Sequence, residues 1–324
     1  MKKVIIAFTL LTLAAGVKAQ QTDTAKKAGG KVSSTDSLLN ALSPDNKHQN
    51  VIGAFKATRL IFSPTTTTVK KKNLNFLVIH RFGDIGTGDG GAKTLYGLDR
   101  VQDVYIGFEY GLSDNFNIDF GRSTIGGFFD GKPAGTGGLI ELGVKYALLH
   151  QKSDNSSPLA ITLLGDYGVR PYGSFHSYAE RNSFLAQAIF SRKFSSAFSF
   201  QVSPIYVYDN TAIPDLFGND KGFFALSGAA RYKVTKHMSL LVDYEHPFSS
   251  FRTSNGFSDP LGFGIEVETG GHVFTLNVTN ARGISEINTL SGSQADYGRG
   301  QYRIGFTISR MFDFNHHDKG SGYK

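Results

Sequence analysis

From about Asn73 onward, apolar and polar residues alternate one by one in segment after segment, which makes each segment an extended strand with two unlike faces. Val104, Ile106, Phe108 and Tyr110 alternate with Asp103, Tyr105, Gly107 and Glu109. Ile140, Leu142, Val144 and Tyr146 alternate with Glu141, Gly143, Lys145 and Ala147. The same pattern returns at Met238–Glu245, Leu261–Glu268 and Tyr302–Ser309.

Two architectures satisfy such strands. In a soluble sandwich the apolar faces of two sheets meet in a core and the polar faces meet water. In a membrane barrel the apolar faces meet lipid and the polar faces line a lumen. Strand length favours the barrel: the segments run roughly 9 to 13 residues, as a tilted membrane strand requires, against a globular mode of about 5 to 6. So do the connections. Tight turns near Leu112–Ser113, Ser195–Ser196, Val234–Lys236 and Gly270–Gly271 alternate with long, Gly-, Asn- and Asp-rich stretches at 84–100, 123–137, 170–181, 209–221, 247–260 and 281–299. The expected fold is therefore all-β: an antiparallel transmembrane β-barrel of about 12 strands in a gram-negative outer membrane, its long connections extracellular. Phe108→Arg or Leu142→Arg should then be costly, and Gly143→Ser on the inward face mild.

The flanks agree with export. Lys2 and Lys3, an apolar run from Val4 to Gly16, and Val17-Lys18-Ala19 before Gln20 read as a signal peptide over 1–19. Residues 20–50 read as a flexible polar linker, 51–314 as the barrel domain and 315–324 as a polar tail. Without the three leader lysines the chain carries 31 basic and 27 acidic residues, too even and too scattered for a nucleic-acid partner. Lipid is the expected partner.

Counting strands near 73–83, 101–111, 114–122, 138–149, 159–169, 182–194, 197–208, 222–233, 237–246, 261–269, 272–280 and 300–312 gives 12, which leaves both termini periplasmic. A spanning strand over 51–62 would begin outside the cell with nothing to carry it there. VIGAFKATRLIF over 51–62 is nevertheless too apolar for a free linker, so it is expected in the lumen or at the periplasmic rim. There Lys56 and Arg59 could pair with inward carboxylates, Glu109 and Glu141 first.

Parity gives the candidate lumen-lining residues. The acids are Asp103, Glu109, Asp119, Glu141, Asp166, Asp243, Glu245, Glu266 and Glu268. The bases are Arg81, Lys145, Arg170, Arg231 and Arg303, with Lys233 beside them. Mixed signs of this kind form a salt-bridged interior, or a selectivity surface for a charged solute.

The run Phe55-Lys-Ala-Thr-Arg59-Leu60, His80-Arg81-Phe82-Gly83, Tyr96-Gly-Leu-Asp99, Gly107-Phe-Glu109-Tyr110-Gly111 and Gly121-Arg122-Ser123 resembles an uncharacterised, domain-of-unknown-function family of Bacteroidota-type outer-membrane β-barrels. The resemblance covers the chain from about Val51 to the last strand. It implies a barrel in the outer membrane and no established activity, so it brings no catalytic residues.

No constellation for catalysis or for a cofactor stands out. There is no Cys, hence no disulfide, thiol nucleophile or thiolate metal site. G-x-S-x-G and a phosphate-cradling loop are both missing, and His316-His317-Asp318 is a poor metal site without partners. The last strand resembles the recognition signal of the barrel-insertion machinery, although Arg310 stands where an apolar residue is usual. Two functions remain open. One is a narrow pore for small hydrophilic solutes, since 12 strands lie between filled eight-stranded barrels and open porins. The other is a closed structural or interaction barrel presenting its extracellular loops. An outer-membrane hydrolase is the lesser alternative.

Overall fold

In a computed structural model the alternating segments become the staves of one closed barrel. The structure describes residues 50–51, 53–86, 90–125, 128–129, 132–133, 137–173, 175, 177–210 and 221–314. The leader, the linker up to residue 49 and the tail from 315 lie outside the described residues.

The twelve barrel strands are β1 (Asn73–Asp84), β2 (Val101–Gly111), β3 (Phe116–Ile125), β4 (Gly137–Leu149), β5 (Ala160–Val169), β6 (Asn182–Lys193), β7 (Phe198–Asp209), β8 (Gly222–Lys233), β9 (Met238–Phe248), β10 (Leu261–Thr269), β11 (His272–Thr279) and β12 (Arg303–Asp313). Each pairs antiparallel with its sequence neighbours, and β1 closes the ring on β12 from Asn73 opposite Asp313 to Asp84 opposite Arg303. Closure removes every free edge, so each strand finds both partners inside the bilayer. A short hairpin of Phe128–Phe129 with Lys132–Pro133 occupies the connection expected at 123–137, because β3 runs on to Ile125.

The faces decide the environment. Leu142, Phe263 and Leu276 point outward and are 52%, 51% and 57% exposed, whereas Asp103, Asn117, Asp243 and Glu266 point inward and are fully buried. A water-soluble fold reverses that arrangement; a bilayer requires it. Among the described residues no helix is long and apolar enough to cross a membrane, so the strands do the crossing.

Among the described residues, two stretches that are not barrel strands fill the lumen. The first, 53–69, enters from the tight-turn end, where Val51 N–H donates to Gln151 O at 2.8 Å, and leaves beside Gly111, whose carbonyl accepts from Lys72 N–H. In between it doubles back as a hairpin: Thr65 N–H donates to Thr58 O at 2.8 Å and Leu60 N–H to Ser63 O at 2.9 Å. The expectation for 51–62 thus resolves to the lumen, not the rim. The second belongs to the β11–β12 connection, expected as an extracellular loop. It starts and ends at the end of the barrel opposite the tight turns but folds inward, carrying α2 (Glu286–Gly292), all of whose residues are buried. Another helix, α1 (Ser250–Ser254), lies in the β9–β10 connection, where Ser249 caps it by accepting from Arg252 N–H.

Candidate functional site

The lumen is the candidate site, and its contents follow from which wall residues meet which insert. The hairpin insert carries Leu60, Ile61 and Phe62 at its tip. Phe55, Leu60, Ile61 and Phe62 pack on Ala229 and Leu241 of the wall and on Ala281 of the other insert. The wall opposite is glycine by necessity: a Cβ on Gly262 would sit 2.8 Å from Ile61 Cγ2, inside any real contact distance.

Polar anchoring is denser still. Asp243 Oδ2 accepts the backbone N–H groups of Ile61, Phe62 and Ser63 at 3.1, 2.8 and 2.9 Å, and Oδ1 accepts Ser63 Oγ–H at 2.6 Å. Converging N–H groups on one carboxylate form charge-assisted bonds, stronger than neutral ones. Lower down, Asn75 Nδ2 donates to Thr58 Oγ1 at 3.0 Å and Gln201 Nε2 to Pro64 O at 2.8 Å.

The loop insert is held in the same way. Ile284 N–H donates to Asp103 Oδ2 at 3.0 Å, and Ser285 Oγ–H donates to Glu141. Gln187 Nε2 donates to Glu286 Oε2 at 2.7 Å, and Asn288 Nδ2 to Ile125 O at 2.9 Å. Ile287 and Leu290 drop into an apolar pocket of Leu139, Leu185, Ile205 and Phe223. Glu286 lies outside the spanning strands, and its burial pushes the carboxyl up to about 8.

The inserts meet at Arg81. Its Nη1 donates to Ala281 O at 3.3 Å, while its guanidinium stands 5.6 Å from the ring centre of Phe62. Arg59 forms a second junction. Its guanidinium lies 5.6 Å over the Tyr105 ring, its Nε donates to Phe62 O at 2.8 Å, and Glu286, Glu141 and Asp166 are within electrostatic reach. Tyr105 in turn lies flat on bare backbone, for a Cβ on Gly121 would fall 1.8 Å from its hydroxyl.

All fourteen candidate lining residues face the lumen or its rims, but they divide into groups. Asp103, Glu141 and Asp243 hold inserts. Lys145 Nζ donates to Thr58 O at 3.3 Å, with Glu109, Asp119 and Asp166 nearby. Arg170 bridges Asp209 at 3.2 Å and donates to Asn288 Oδ1 at 3.3 Å. Arg231 pairs with Glu266 at 2.7 Å and also with Glu268. Arg303 reaches Asp84 at 3.5 Å and donates to Asn280 O. Both carboxylate oxygens of Glu245 are buried with no hydrogen-bond partner among the described residues. The pairing expected for Lys56 does not occur: its side chain is exposed, whereas Arg59, the apolar residues and the buried Thr58, Ser63 and Thr65 of the hairpin turn into the barrel.

Sequence reasoning missed Ser63, Thr58, Gln187, Ser285 and Asn288. Gln187 was visible by parity. Ile284, Ile287 and Leu290 recur every third residue in a stretch read as a loop, and that helical spacing was the available signal for α2.

Between the inserts and the wall lies a cavity of about 40 Å³ lined by Arg59, Tyr105, Glu141 and Glu286, among others. It has room for a few water molecules.

A family model described as a membrane bound beta barrel domain, DUF5777, matches residues 55–312. The chain belongs to this family. The DUF5777 match takes in the hairpin insert from Phe55 as well as all twelve strands to Phe312, so the insert is part of the family domain. No curated protein matches the sequence. Similar solved structures include the KdgM porin, at 7% identity over 75% of this chain and 99% of that one, with a TM-score of 0.41. The COG4313 outer membrane channel from Pseudomonas putida F1 is 12% identical over 76% and 98%, with a TM-score of 0.40. Outer membrane phospholipase A from Escherichia coli is 12% identical over 77% and 96%, with a TM-score of 0.40. Likenesses this distant say nothing about activity.

Proposed function

We propose that this outer-membrane barrel is a gated passage for small hydrophilic solutes, held shut at rest by the hairpin and loop inserts. One observation carries the reading: the inserts meet at Arg81 and close a lumen whose own wall is polar and charged. A barrel meant to stay solid can be filled by side chains from its strands, as small barrels are. Here the filling is chain segments held largely by hydrogen bonds, and their withdrawal leaves a hydrophilic wall. The second reading is a permanently closed barrel that presents its loops. The four-bond grip of Asp243 on the hairpin favours it, since such a contact is costly to break.

Planar-bilayer recording separates the two. The intact chain should give small, infrequent openings, and Asp243→Ala or Arg81→Ala should make them larger or more frequent. Folded variants that stay silent would leave the closed barrel as the function.

We read the barrel as non-catalytic. Its nearest approach to a hydrolytic constellation is at the extracellular end of β9, where His246 Nδ1 pairs with Asp259 Oδ2 at 2.8 Å and Tyr244 Oη–H donates to the same oxygen. Among the described residues no hydroxyl bonds the other nitrogen of His246, so the dyad lacks a nucleophile. Release of fatty acid from mixed micelles by the purified barrel would overturn this.

A further inference from the structure

We propose that the lumen cavity between the hairpin insert, the loop insert and strands β2 to β5 is a binding site for one small monovalent cation, such as potassium or sodium. Five carboxylates line it: Glu109, Asp119, Glu141, Asp166 and Glu286. Among the described residues that line it, only Arg59 and Lys145 oppose them. Charge in a water-poor interior is matched nearby or it is expensive, and once the acids ionise, as Glu286 does only above about pH 8, two fixed cations do not match them.

A second observation points the same way. Glu286 is 2% exposed and lines the cavity, yet only its Oε2 is bonded, by Gln187; Oε1 has no partner among the described residues. Asp119 Oδ1, also on the cavity, is likewise buried without a partner. Buried acceptors of this kind are rare in native folds and call for an ion, a proton or water.

Size and donor geometry narrow the ligand. About 40 Å³ admits one small ion with a little water and excludes a bulky organic cation. No group of three or more carboxylates or histidines among the described residues converges as ligands on one metal ion. Carboxylates alone therefore do not complete a coordination shell there, which suits a weakly held monovalent ion that keeps part of its water better than a divalent metal. The inference stands whether or not the barrel conducts, because the cavity exists with both inserts in place.

The test uses the full chain in detergent at pH 9 and equal ionic strength, in potassium chloride and in tetraethylammonium chloride. Potassium should raise the melting midpoint by on the order of 2–4 °C, as a ligand binding only the folded state at several times its dissociation constant does. Glu286→Gln should abolish the difference between the salts while the barrel remains heat-modifiable on gels. If that variant does not fold, Asp119→Asn should at least halve the difference. Equal midpoints in both salts for the unaltered chain would overturn the site and assign the charge balance to protons. A difference that persists in both variants would place the ion elsewhere and overturn it too. Neither result bears on the conductance measurement, so the gated passage stands or falls separately.

Discussion

Asp243 grips Ser63 twice: its Oδ2 accepts the backbone N–H at 2.9 Å and its Oδ1 accepts the Oγ–H at 2.6 Å. The two residues stand 180 positions apart in sequence, one at the tip of the hairpin insert and one midway along β9. This contact helps tie a segment that is not a strand of the barrel to the rigid wall. Asp243→Ala leaves three backbone N–H groups without their carboxylate in a buried place, a loss of about 3–5 kcal/mol for a broken buried charged contact. The barrel itself keeps its strand pairing. The expected result is a folded barrel whose 53–69 segment becomes cleavable by added protease, with Asp243→Asn intermediate. Protection equal to the unaltered chain would remove Asp243 as the anchor.

The outward face is tested by charge. Phe108→Arg or Leu142→Arg should cost about 2–4 kcal/mol in lipid. Gly143→Ser, expected from the alternation to be mild, is not a fair inward control: a Cβ there would meet Asp166 Oδ1 at 2.2 Å. Ser239→Ala is fair, because Ser239 faces inward and its Oγ has no partner among the described residues. Equilibrium unfolding in vesicles should show the arginine variants destabilised and Ser239→Ala within about 0.5 kcal/mol of the unaltered chain.

Topology follows from the strand count, and the absence of cysteine makes it simple to measure. Asn255→Cys, exposed in the β9–β10 connection, should react with an impermeant maleimide on whole cells. Ser195→Cys, in a tight turn, should react only after lysis. Reaction of the second alone would invert the barrel.

The wall of the cavity depends on a missing side chain. Gly121→Ala must displace the Tyr105 ring, whose hydroxyl lies 1.8 Å from the new Cβ, and with it the support under Arg59. Overpacking of this kind typically costs about 1–3 kcal/mol. In a double-mutant cycle, Tyr105→Leu should relieve much of that cost, giving a coupling of roughly 0.5–3 kcal/mol by unfolding. Additive losses would show that Tyr105 can move freely.

The barrel was legible because one rule, alternation, governs nearly every strand residue, and a register slip of one would turn each charge to lipid. All twelve segments could be placed from it. The hairpin insert was legible only as an exclusion: parity forbade a strand at 51–62, and apolar content forbade solvent. What it touches was not, since Asp243, Ser227 and Gln201 meet it through contacts more than 130 residues apart that no local pattern encodes. The loop insert was missed for a related reason. Its polar residues, Ser285, Asn288 and Thr289, read as a soluble loop, yet the lumen they enter is itself polar. In an inside-out barrel, hydrophilicity does not distinguish inside from outside.

Glu286 makes that loop pH-sensitive, and the direction follows from linkage. Burial raises its carboxyl to about 8 in the fold, against the ordinary 4.5. The folded state therefore holds a proton that the unfolded chain gives up, so the contribution is fully present below about pH 4.5 and is lost as pH rises through 8. Arg59 opposes the shift, while Asp243, Glu141 and Glu245 around it disfavour a second negative charge. Gln187 donates to Oε2 in either state of the acid. Amide exchange across α2 should accordingly quicken between pH 6 and pH 9 beyond the change in intrinsic rate. In Glu286→Gln, which keeps the shape and the Gln187 contact without the titration, the excess should shrink. A variant whose α2 amides keep the full excess would assign the pH response to the carboxylates of the wall instead.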